Sequence, residues 1–202
     1  MTHLYFIRHG DYREELEDGK YQDLGLSPEG IKQIEALRER LIKTNEIQAD
    51  ILLSSPMRRA KEAAEILAPA LKQPIIFDKC LEEWLCDDGT LTPEEFSARW
   101  QQVPETQKPF FRFMAGYETG LEFSGRVQAT LNHVLEEHAG KTLVLVTHGG
   151  VIAASFSYFF GLSAAIPPRV TLGANHASIT HWCKPGSAQK WMLERYNDYQ
   201  HL

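Results

Sequence analysis

The feature that most constrains the fold is a set of short apolar runs. In these runs apolar and polar residues do not alternate, as they would in a strand with one face exposed to solvent. Residues 4–7 read Leu-Tyr-Phe-Ile, and residues 142–146 read Thr-Leu-Val-Leu-Val, the strongest strand pattern in the chain. Such runs are typical of central strands in a parallel sheet, because helices cover both faces of that sheet. Two more strands are predicted at residues 49–53 and 74–77.

Helical spacing of apolar residues fills the gaps between these strands. Residues 28–44 carry apolar side chains on one face, with Ser27 as the N-cap and Pro28 at the first helical position. The pair Ser55-Pro56 is interpreted in the same way, as the start of a helix that ends near residue 67 or 71. Further helices are predicted at residues 93–102, 121–138 and 151–162.

The alternation of strands and helices predicts the α/β class, as a three-layer sandwich with a mostly parallel central sheet and helices on both faces. Residues 178–183 and 190–195 indicate a C-terminal hairpin at the edge of the sheet. The length of 202 residues fits a single domain, residues 1–202. Residues 11–25 are predicted to form a loop, and residues 86–120 an inserted lid or substrate region.

The composition narrows the range of partners. The net charge is −6 and the pI about 5.8, and the chain has no basic tail, which argues against nucleic acid. Three cysteines without framework spacing indicate reduced thiols, and the N-terminus has no signal-peptide pattern, so we expect a cytoplasmic protein. The apolar stretch 151–162 is too short to span a bilayer, and no membrane partner is expected. Oligomeric state does not follow from the sequence.

Two of the strands end in a histidine followed by glycine. His9-Gly10 follows the first strand, with Arg8 beside the histidine, and His148-Gly149-Gly150 follows the strand at residues 142–146. In open α/β sheets, ligands bind at the carboxyl ends of the strands. If these two strands are neighbours, both histidines line one pocket.

A second arginine and a carboxylic acid complete the candidate site. Arg58 lies on the first turn of the helix after the second strand, and that position favours it over Arg59. Glu82 or Glu83 supplies the acid at the end of the third strand. Planar guanidinium groups match phosphoryl oxygens. A neutral histidine can attack phosphorus, and a protonated one stabilises negative charge, so the pocket fits a phosphoryl group.

These residues fall into motifs that resemble one family. The motifs are Arg8-His9-Gly10, Ser54-Ser55-Pro56-Met57-Arg58-Arg59-Ala60, Leu81-Glu82-Glu83 and Thr147-His148-Gly149-Gly150, with support from Leu26-Ser27-Pro28-Glu29-Gly30 and the last six residues. They span the chain from end to end, and their order resembles the histidine phosphatase superfamily, which includes the phosphoglycerate mutases and related phosphatases.

The resemblance implies a metal-independent phosphatase that hydrolyses a phosphate monoester through a phosphohistidine on His9. A leucine, any residue, glutamate pattern selects Glu83 over Glu82 as the group that protonates the leaving alcohol and then activates water. No cofactor or metal is implied, and the expected partner is a small phosphorylated metabolite. The groups that would hold the phosphoryl oxygens are Arg8, Arg58, His148 and Gly149.

The chain departs from the family pattern after Gly10. Where many relatives carry a substrate-binding asparagine, residues 14–17 read Glu-Glu-Leu-Glu, and Gln22 is the candidate substitute for that amide. Asp87 replaces a glycine that usually lies four residues after the acid. These differences leave the phosphoryl chemistry intact and concern the identity of the substrate.

Other interpretations stay open beside the phosphatase. A mutase of the phosphoglycerate mutase type would move phosphate between two hydroxyls, but the short segment between Gly10 and Leu26 favours the phosphatase. A phosphohistidine protein phosphatase would have little need of Glu83, and a non-catalytic phospho-ligand binder would lack the nucleophile or the acid. No H-E-x-x-H or C-x-x-C spacing supports a zinc site built from His9, His148, His176 or His181.

Overall fold

The computed structural model describes residues 1–167, 169–186 and 190–202, and these contain eight strands and five α-helices. The strands are β1 (Thr2–Arg8), β2 (Tyr12–Glu17), β3 (Lys20–Leu26), β4 (Ile51–Ser54), β5 (Ile75–Phe77), β6 (Thr142–Thr147), β7 (Ile179–Lys184) and β8 (Met192–Asp198). The helices are α1 (Pro28–Thr44), α2 (Arg58–Leu71), α3 (Pro93–Gln102), α4 (Gly120–Glu137) and α5 (Gly149–Phe160). Short 3₁₀ turns lie at Lys79–Leu81 and Glu105–Phe110.

The central sheet has the strand order β5-β4-β6-β1-β7-β8. Its first four strands run parallel, whereas β7 pairs antiparallel with both β1 and β8. The predicted mostly parallel sheet with a C-terminal edge hairpin is therefore confirmed. Residues 187–189, in the connection of that hairpin, lie outside the described residues.

Apolar side chains on the two faces of the sheet belong to two separate cores. Along β1, Tyr5 and Ile7 join a core with side chains of α1 and α2, while Leu4 and Phe6 join a core with side chains of α4 and α5. All four side chains are buried. A strand that is covered on both faces accounts for the apolar run in the sequence, and the helices on each face confirm the three-layer sandwich.

The predicted helix boundaries hold where a side chain caps the helix. α1 begins and ends at the predicted residues, with Pro28 in its first turn and Ser27 Oγ accepting a hydrogen bond from the Gly30 N–H at 3.0 Å. α3 also matches, and a capping box formed by Thr92 and Glu95 fixes its first turn.

α2 begins at Arg58, later than the start predicted at Pro56. The N-cap is Met57, so Ser55 lies two residues before it; the Ser55 hydroxyl accepts a hydrogen bond from the Met57 N–H at 3.2 Å and lies 2.9 Å from Nε2 of His148. The Ser-Pro pair is thus part of the turn before the helix rather than its first residues.

The segment predicted as a loop, residues 11–25, instead forms the hairpin of β2 and β3. Asp18 and Gly19 at its tip both have positive φ, 50° and 77°, as a type I′ turn requires. The loop prediction is wrong because β2 is polar and mostly exposed, so it lacks apolar alternation. The Asp-Gly pair was the available signal for a hairpin.

Residues 86–120 pack around an aromatic cluster and are joined to the β2–β3 hairpin. Lys20 forms an ion pair with Asp88 at 2.7 Å, and the Tyr21 N–H donates to the Gly89 carbonyl at 2.7 Å. Within the region, the rings of Phe96 and Phe113 are stacked with centroids 4.5 Å apart. The cluster comprises Trp84, Phe96, Trp100, Phe111, Phe113 and Phe123.

A backbone contact between the segment after β1 and the first turn of α1 leaves no room for a side chain. A Cβ on Gly30 would overlap the carbonyl oxygen of Asp11, and a Cβ on Gly10 would lie 2.5 Å from the carbonyl oxygen of Gly30. Gly30→Ala should therefore lower the free energy of unfolding by about 2–3 kcal/mol, the cost of overpacking a filled site. Urea unfolding followed by circular dichroism measures this change.

The matched control is Gly125→Ala in α4. Gly125 is exposed and helical, and a Cβ there would have no neighbour within 4 Å. This substitution should raise the free energy of unfolding by about 0.5–1 kcal/mol, because alanine loses less backbone entropy in a helix. Equal effects of the two substitutions would contradict the steric explanation.

Candidate active site

His9 lies directly after β1 and is 2 % exposed. Its Nδ1 is 2.7 Å from the carbonyl oxygen of Gly10. Because a carbonyl only accepts hydrogen bonds, we assign the ring proton to Nδ1, which leaves a lone pair on Nε2. Nε of Arg59 donates a hydrogen bond to Nε2 at 3.3 Å. His9 therefore holds a buried nitrogen lone pair in a fixed direction, as a nucleophile requires.

The surroundings of His9 keep its imidazole neutral. Burial lowers the pKa of His9 well below its ordinary value, and the guanidinium of Arg59 lowers it further, with smaller contributions from Arg8 and His176. The hydrogen bond to Gly10 opposes these effects only in part. A neutral imidazole retains the lone pair on Nε2 at physiological pH.

Arg59, not Arg58, reaches His9. Arg58 is exposed, and its Nε donates to Glu62 at 2.8 Å on the outer face of α2. Arg59 is buried on the same face of α2 as Leu67, eight residues further along the helix. The prediction that Arg58 lines the pocket is wrong, because Arg59 has the helical spacing of the buried Ala63 and Leu67, whereas Arg58 shares the exposed face of Glu62. The helical spacing between Arg59 and the apolar face of α2 was the signal for the inward residue.

The β2–β3 hairpin contributes two residues that the sequence reasoning missed. Oδ2 of Asp23 accepts hydrogen bonds from Nη1 of Arg59 at 3.0 Å and from its backbone N–H at 3.3 Å. The Arg59 guanidinium lies 4.5 Å from the ring centroid of Tyr12, which in turn contacts His9 edge-on at 5.2 Å between centroids. Both residues were missed together with the hairpin. Gln22, the candidate amide, is exposed on β3.

His148 is fully buried and immediately precedes α5. β1 and β6 pair so that Arg8 lies opposite Thr147, which brings the rings of His9 and His148 to 5.1 Å between centroids. Nε2 of His148 is 2.9 Å from Oγ of Ser55, and its Nδ1 has no partner among the described residues. Burial lowers the pKa of His148 well below its ordinary value, and the nearby guanidinium groups add to that effect.

Arg8 contributes the second guanidinium group of the site. Its Nη1 donates to the carbonyl of Ala174, while its Nε is buried with no partner in the part of the chain that the structure describes. Burial lowers the pKa of Arg8, and the carboxylate of Glu83 opposes that shift. Gly149 lies against this guanidinium, because a Cβ on Gly149 would be 3.5 Å from Nε of Arg8.

Glu83 lies at the N-terminus of α5, beside the end of β6. Its Oε2 accepts a hydrogen bond from the Gly150 N–H at 3.0 Å, and its Oε1 accepts one from the Trp84 N–H at 3.0 Å. A Cβ on Gly150 would overlap the Glu83 carboxylate, so this contact requires a glycine. Of the two candidate acids, the structure brings Glu83 to the cluster.

A third histidine, His176, lies beside His9 and was not among the predicted catalytic residues. Its ring centroid is 5.5 Å from that of His9, and its Nδ1 is 3.8 Å from Oδ1 of Asp11. His176 precedes β7, which is antiparallel to β1, so the start of β7 meets the end of β1, and the Ala177 N–H donates to the His9 carbonyl at 3.1 Å. The predicted edge hairpin was the available signal for this placement.

Comparison with known proteins identifies the family. The sequence matches the family described as histidine phosphatase superfamily (branch 1) over residues 4–199. The chain belongs to the histidine phosphatase superfamily. A probable phosphoglycerate mutase of Salmonella paratyphi A is 31% identical over 213 aligned positions, which cover 100% of this chain and 95% of that relative.

Solved structures of other members share the fold. A mycobacterial glucosyl-3-phosphoglycerate phosphatase superposes with a TM-score of 0.75 and 24% identity, covering 96% of this chain and 98% of that one. A mutant phosphoserine phosphatase from Entamoeba histolytica, in complex with phosphoserine, has a TM-score of 0.72 and 21% identity, with 100% of both chains covered. These likenesses confirm the α/β architecture of this histidine phosphatase superfamily member.

The described residues contain neither a cluster of metal ligands nor a membrane-spanning helix. In residues 1–167, 169–186 and 190–202, no group of three or more His, Cys, Asp or Glu is placed to hold a metal ion, so the zinc interpretation has no ligand set there. None of the helices in the same ranges is long and apolar enough to cross a membrane.

The buried histidines of this superfamily member should make its stability depend on pH. The pKa values of His9 and His148 are lowered well below 6.5, so as the pH falls below 6.5 the unfolded chain takes up protons that the folded chain does not. Stability is therefore lost as the pH falls. For each histidine that stays neutral at pH 5.5, the free energy of unfolding should be about 1.4 kcal/mol lower than at pH 7.5.

Urea unfolding at the two pH values measures this difference. The control is the double variant His9→Gln with His148→Gln, which should reduce the pH dependence by the share of these two residues. The remaining dependence comes from His176, His181 and His201, whose pKa values burial also lowers. A double variant with the same pH dependence as the unaltered protein would contradict the assignment.

Proposed function

We propose that this chain hydrolyses phosphate monoesters of small metabolites through a phosphohistidine formed on Nε2 of His9. The observation that carries the proposal is the orientation of that ring, whose Nδ1 is bound to the Gly10 carbonyl while Nε2 meets the Arg59 guanidinium. Membership of the histidine phosphatase superfamily supports this class of reaction.

The phosphoryl group would bind among Arg8, Arg59 and His148. Each guanidinium presents planar N–H donors to phosphoryl oxygens, and the buried Nε of Arg8 has no partner among the described residues. The N-terminus of α5, with Gly149 at its first position, adds backbone N–H groups and the positive end of a helix dipole. A phosphoryl dianion beside His148 would oppose the effects that lower its pKa and so favour its protonated form.

Two displacements complete the proposed reaction. In the first, Nε of Arg59 turns its hydrogen bond from Nε2 of His9 to a phosphoryl oxygen, and the released lone pair forms a P–N bond. The bond from phosphorus to the ester oxygen breaks, and Glu83, in its protonated form, gives its proton to the leaving alkoxide. In the second, the Glu83 carboxylate takes a proton from water, the water oxygen attacks phosphorus, and the P–N bond breaks with its electron pair returning to Nε2. Inorganic phosphate leaves, and Glu83 is again protonated.

The alcohol part of the substrate would lie between the β2–β3 hairpin and residues 86–120, the region that we propose as the lid. The structural relatives named above are phosphatases of glucosyl-3-phosphoglycerate and of phosphoserine, both small metabolites that carry a phosphate ester. We infer a substrate of that class. The single-domain organisation and the cytoplasmic location stay predictions.

A mutase is the second candidate, because the curated relative at 31% identity is named a probable phosphoglycerate mutase. A mutase must keep its phosphohistidine from water until the phosphate returns to a second hydroxyl. Such an enzyme would convert 3-phosphoglycerate into its isomer with little release of inorganic phosphate. The short hairpin that follows His9 favours the phosphatase, since it offers little chain to enclose the intermediate.

Trapping of the intermediate tests the proposed chemistry. With ³²P-labelled phosphate esters, quenched at alkaline pH where phosphohistidine survives, the label should appear on the protein and be absent from His9→Ala. The control His133→Ala alters an exposed histidine of α4 and should retain the label. A panel of phosphorylated metabolites, which includes 3-phosphoglycerate, then separates release of phosphate from isomerisation. No label from any substrate would refute the enzymatic proposal.

The two neighbouring arginines provide a second test. Arg59→Met should lower kcat/KM for the best substrate by about 100-fold or more, the usual cost of removing one donor to the transition-state charge. Arg58→Met should change kcat/KM by less than about twofold, because a solvated ion pair away from the reacting atoms contributes little. Steady-state phosphate release measures both. A larger loss from Arg58→Met would restore the assignment based on sequence.

A further inference from the structure

We propose that Arg126, which forms a bidentate ion pair with Glu118, is a positioning residue that fixes Glu83 for proton transfer to the leaving group. The proposal rests on the proposed reaction, in which Glu83 is the proton donor. Glu83 follows the 3₁₀ turn at Lys79–Leu81, in a stretch without regular secondary structure. Because no helix or strand holds this stretch, its backbone position depends on the side chains that bind it.

Arg126 reaches from α4 to the backbone within that turn and to the two residues that follow it. Its Nη1 donates to the carbonyl oxygens of Cys80 and Glu82, at 2.9 Å each, and its Nη2 donates to the carbonyl oxygen of Glu83 at 3.2 Å. The guanidinium is largely buried, with 18% of the side chain exposed. A single planar group thus binds the carbonyls that lead up to the proposed acid and the carbonyl of the acid itself.

Glu118 orients the guanidinium and binds the next part of the same stretch. Its two carboxylate oxygens accept from Nε and Nη2 of Arg126 at 2.7 and 2.8 Å, the bidentate geometry that fixes a guanidinium plane. The backbone of Glu118 accepts a hydrogen bond from the Trp84 indole at 3.0 Å and donates one to the Leu85 carbonyl at 2.8 Å. The pair therefore holds residues 82–85 from the α4 side.

The carboxylate of Glu83 depends on this backbone position. Its Oε1 accepts from the N–H of Trp84, and its Oε2 accepts from the N–H of Gly150 in α5. If the stretch shifts, the first contact moves with it and the second is lost, so the carboxyl leaves its place at the end of β6. Displacement of a reacting group by about 1 Å can cost about 100-fold in rate.

The helix that carries Arg126 has other anchors. Phe123, Val127 and Leu131 of α4 are buried in the core between the sheet and the outer helices. Loss of the guanidinium should therefore leave α4 in place and release the stretch that it binds. The ion pair with Glu118 also raises the pKa of Arg126 against the effect of burial, so the guanidinium stays charged.

Leaving-group dependence tests this role directly. In Arg126→Met, kcat/KM for glycerol 2-phosphate, whose alkoxide needs a proton, should fall by about 100-fold. For 4-nitrophenyl phosphate, whose leaving group needs little protonation, the fall should be less than about threefold. The reference is Glu83→Gln, which should discriminate between the two esters in the same direction. The double variant should lose little more than Glu83→Gln alone, because both changes remove one function.

The control is Arg38→Met, on α1. Arg38 also forms an ion pair with a glutamate, Glu35 at 3.9 Å, and it has no hydrogen bond to residues 80–85 among the described contacts. Its removal should change both rates by less than about twofold. Equal losses for both esters in Arg126→Met would overturn the positioning role and leave a general structural one.

The result with Glu83→Gln distinguishes failure of the positioning proposal from failure of the proposed acid role of Glu83. If Glu83→Gln discriminates between the esters and Arg126→Met does not, the positioning proposal alone fails. If Glu83→Gln itself does not discriminate, the proposed acid role of Glu83 fails first. Should Arg126→Met not fold, Glu118→Gln and Arg126→Lys replace it, since both retain part of the hydrogen bonding. Each should show the same selective loss on glycerol 2-phosphate, and uniform losses in both would overturn the proposal.

Discussion

The pairing of β1 with β6 is the constraint on which the site depends. Parallel pairing in a register that sets Arg8 opposite Thr147 makes both strands end at the same level, and each strand is followed by a histidine. β7, on the other side of β1, runs in the opposite direction and so delivers His176 to the same place. The order and direction of the strands therefore bring the three histidines together, independently of contacts between their side chains.

The cluster concentrates positive charge where water is largely excluded. Two guanidinium groups lie beside two buried histidines, and the histidines respond by staying neutral, as the downward shifts of their pKa values indicate. Each guanidinium also has a carboxylate nearby, Asp23 for Arg59 and Glu83 for Arg8. These carboxylates come from segments outside the central sheet. The strand ends and the first turn of α2 thus supply the groups that attract an anion, and the surrounding segments supply the carboxylates that stabilise their buried charge.

The sequence predicts correctly those parts of the structure that depend on a local pattern alone. Apolar runs located the central strands, caps located α1 and α3, and strand ends located His9 and His148. The Ser-Pro pair predicts a start of α2 that favours Arg58 over Arg59, whereas Met57 is the N-cap and Ser55 contacts His148. The role of a capping side chain depends on tertiary neighbours, which local patterns do not contain.

The sequence analysis does not predict the β2–β3 hairpin, for a related reason. β2 has few apolar residues, because it is stabilised by pairing with β3, and the hairpin contacts residues 88 and 89. Leu26 at the end of β3 joins the core formed with α1 and α2. Asp23 and Tyr12 lie on this hairpin, so their place in the site is not predicted either. Their contacts with Arg59 and His9 join segments that are distant in the chain, so no local spacing in the sequence predicts these contacts.

The contact between Gly10 and Gly30 has a chemical consequence beyond packing. The Gly10 carbonyl faces Nδ1 of His9 because its backbone lies flat against the first turn of α1. That carbonyl keeps the proton on Nδ1, and the Nε–H of Arg59 meets the lone pair on Nε2. The tautomer of the histidine is thus set by one main-chain acceptor and one side-chain donor, and the main-chain acceptor is held in place by a contact between two glycines.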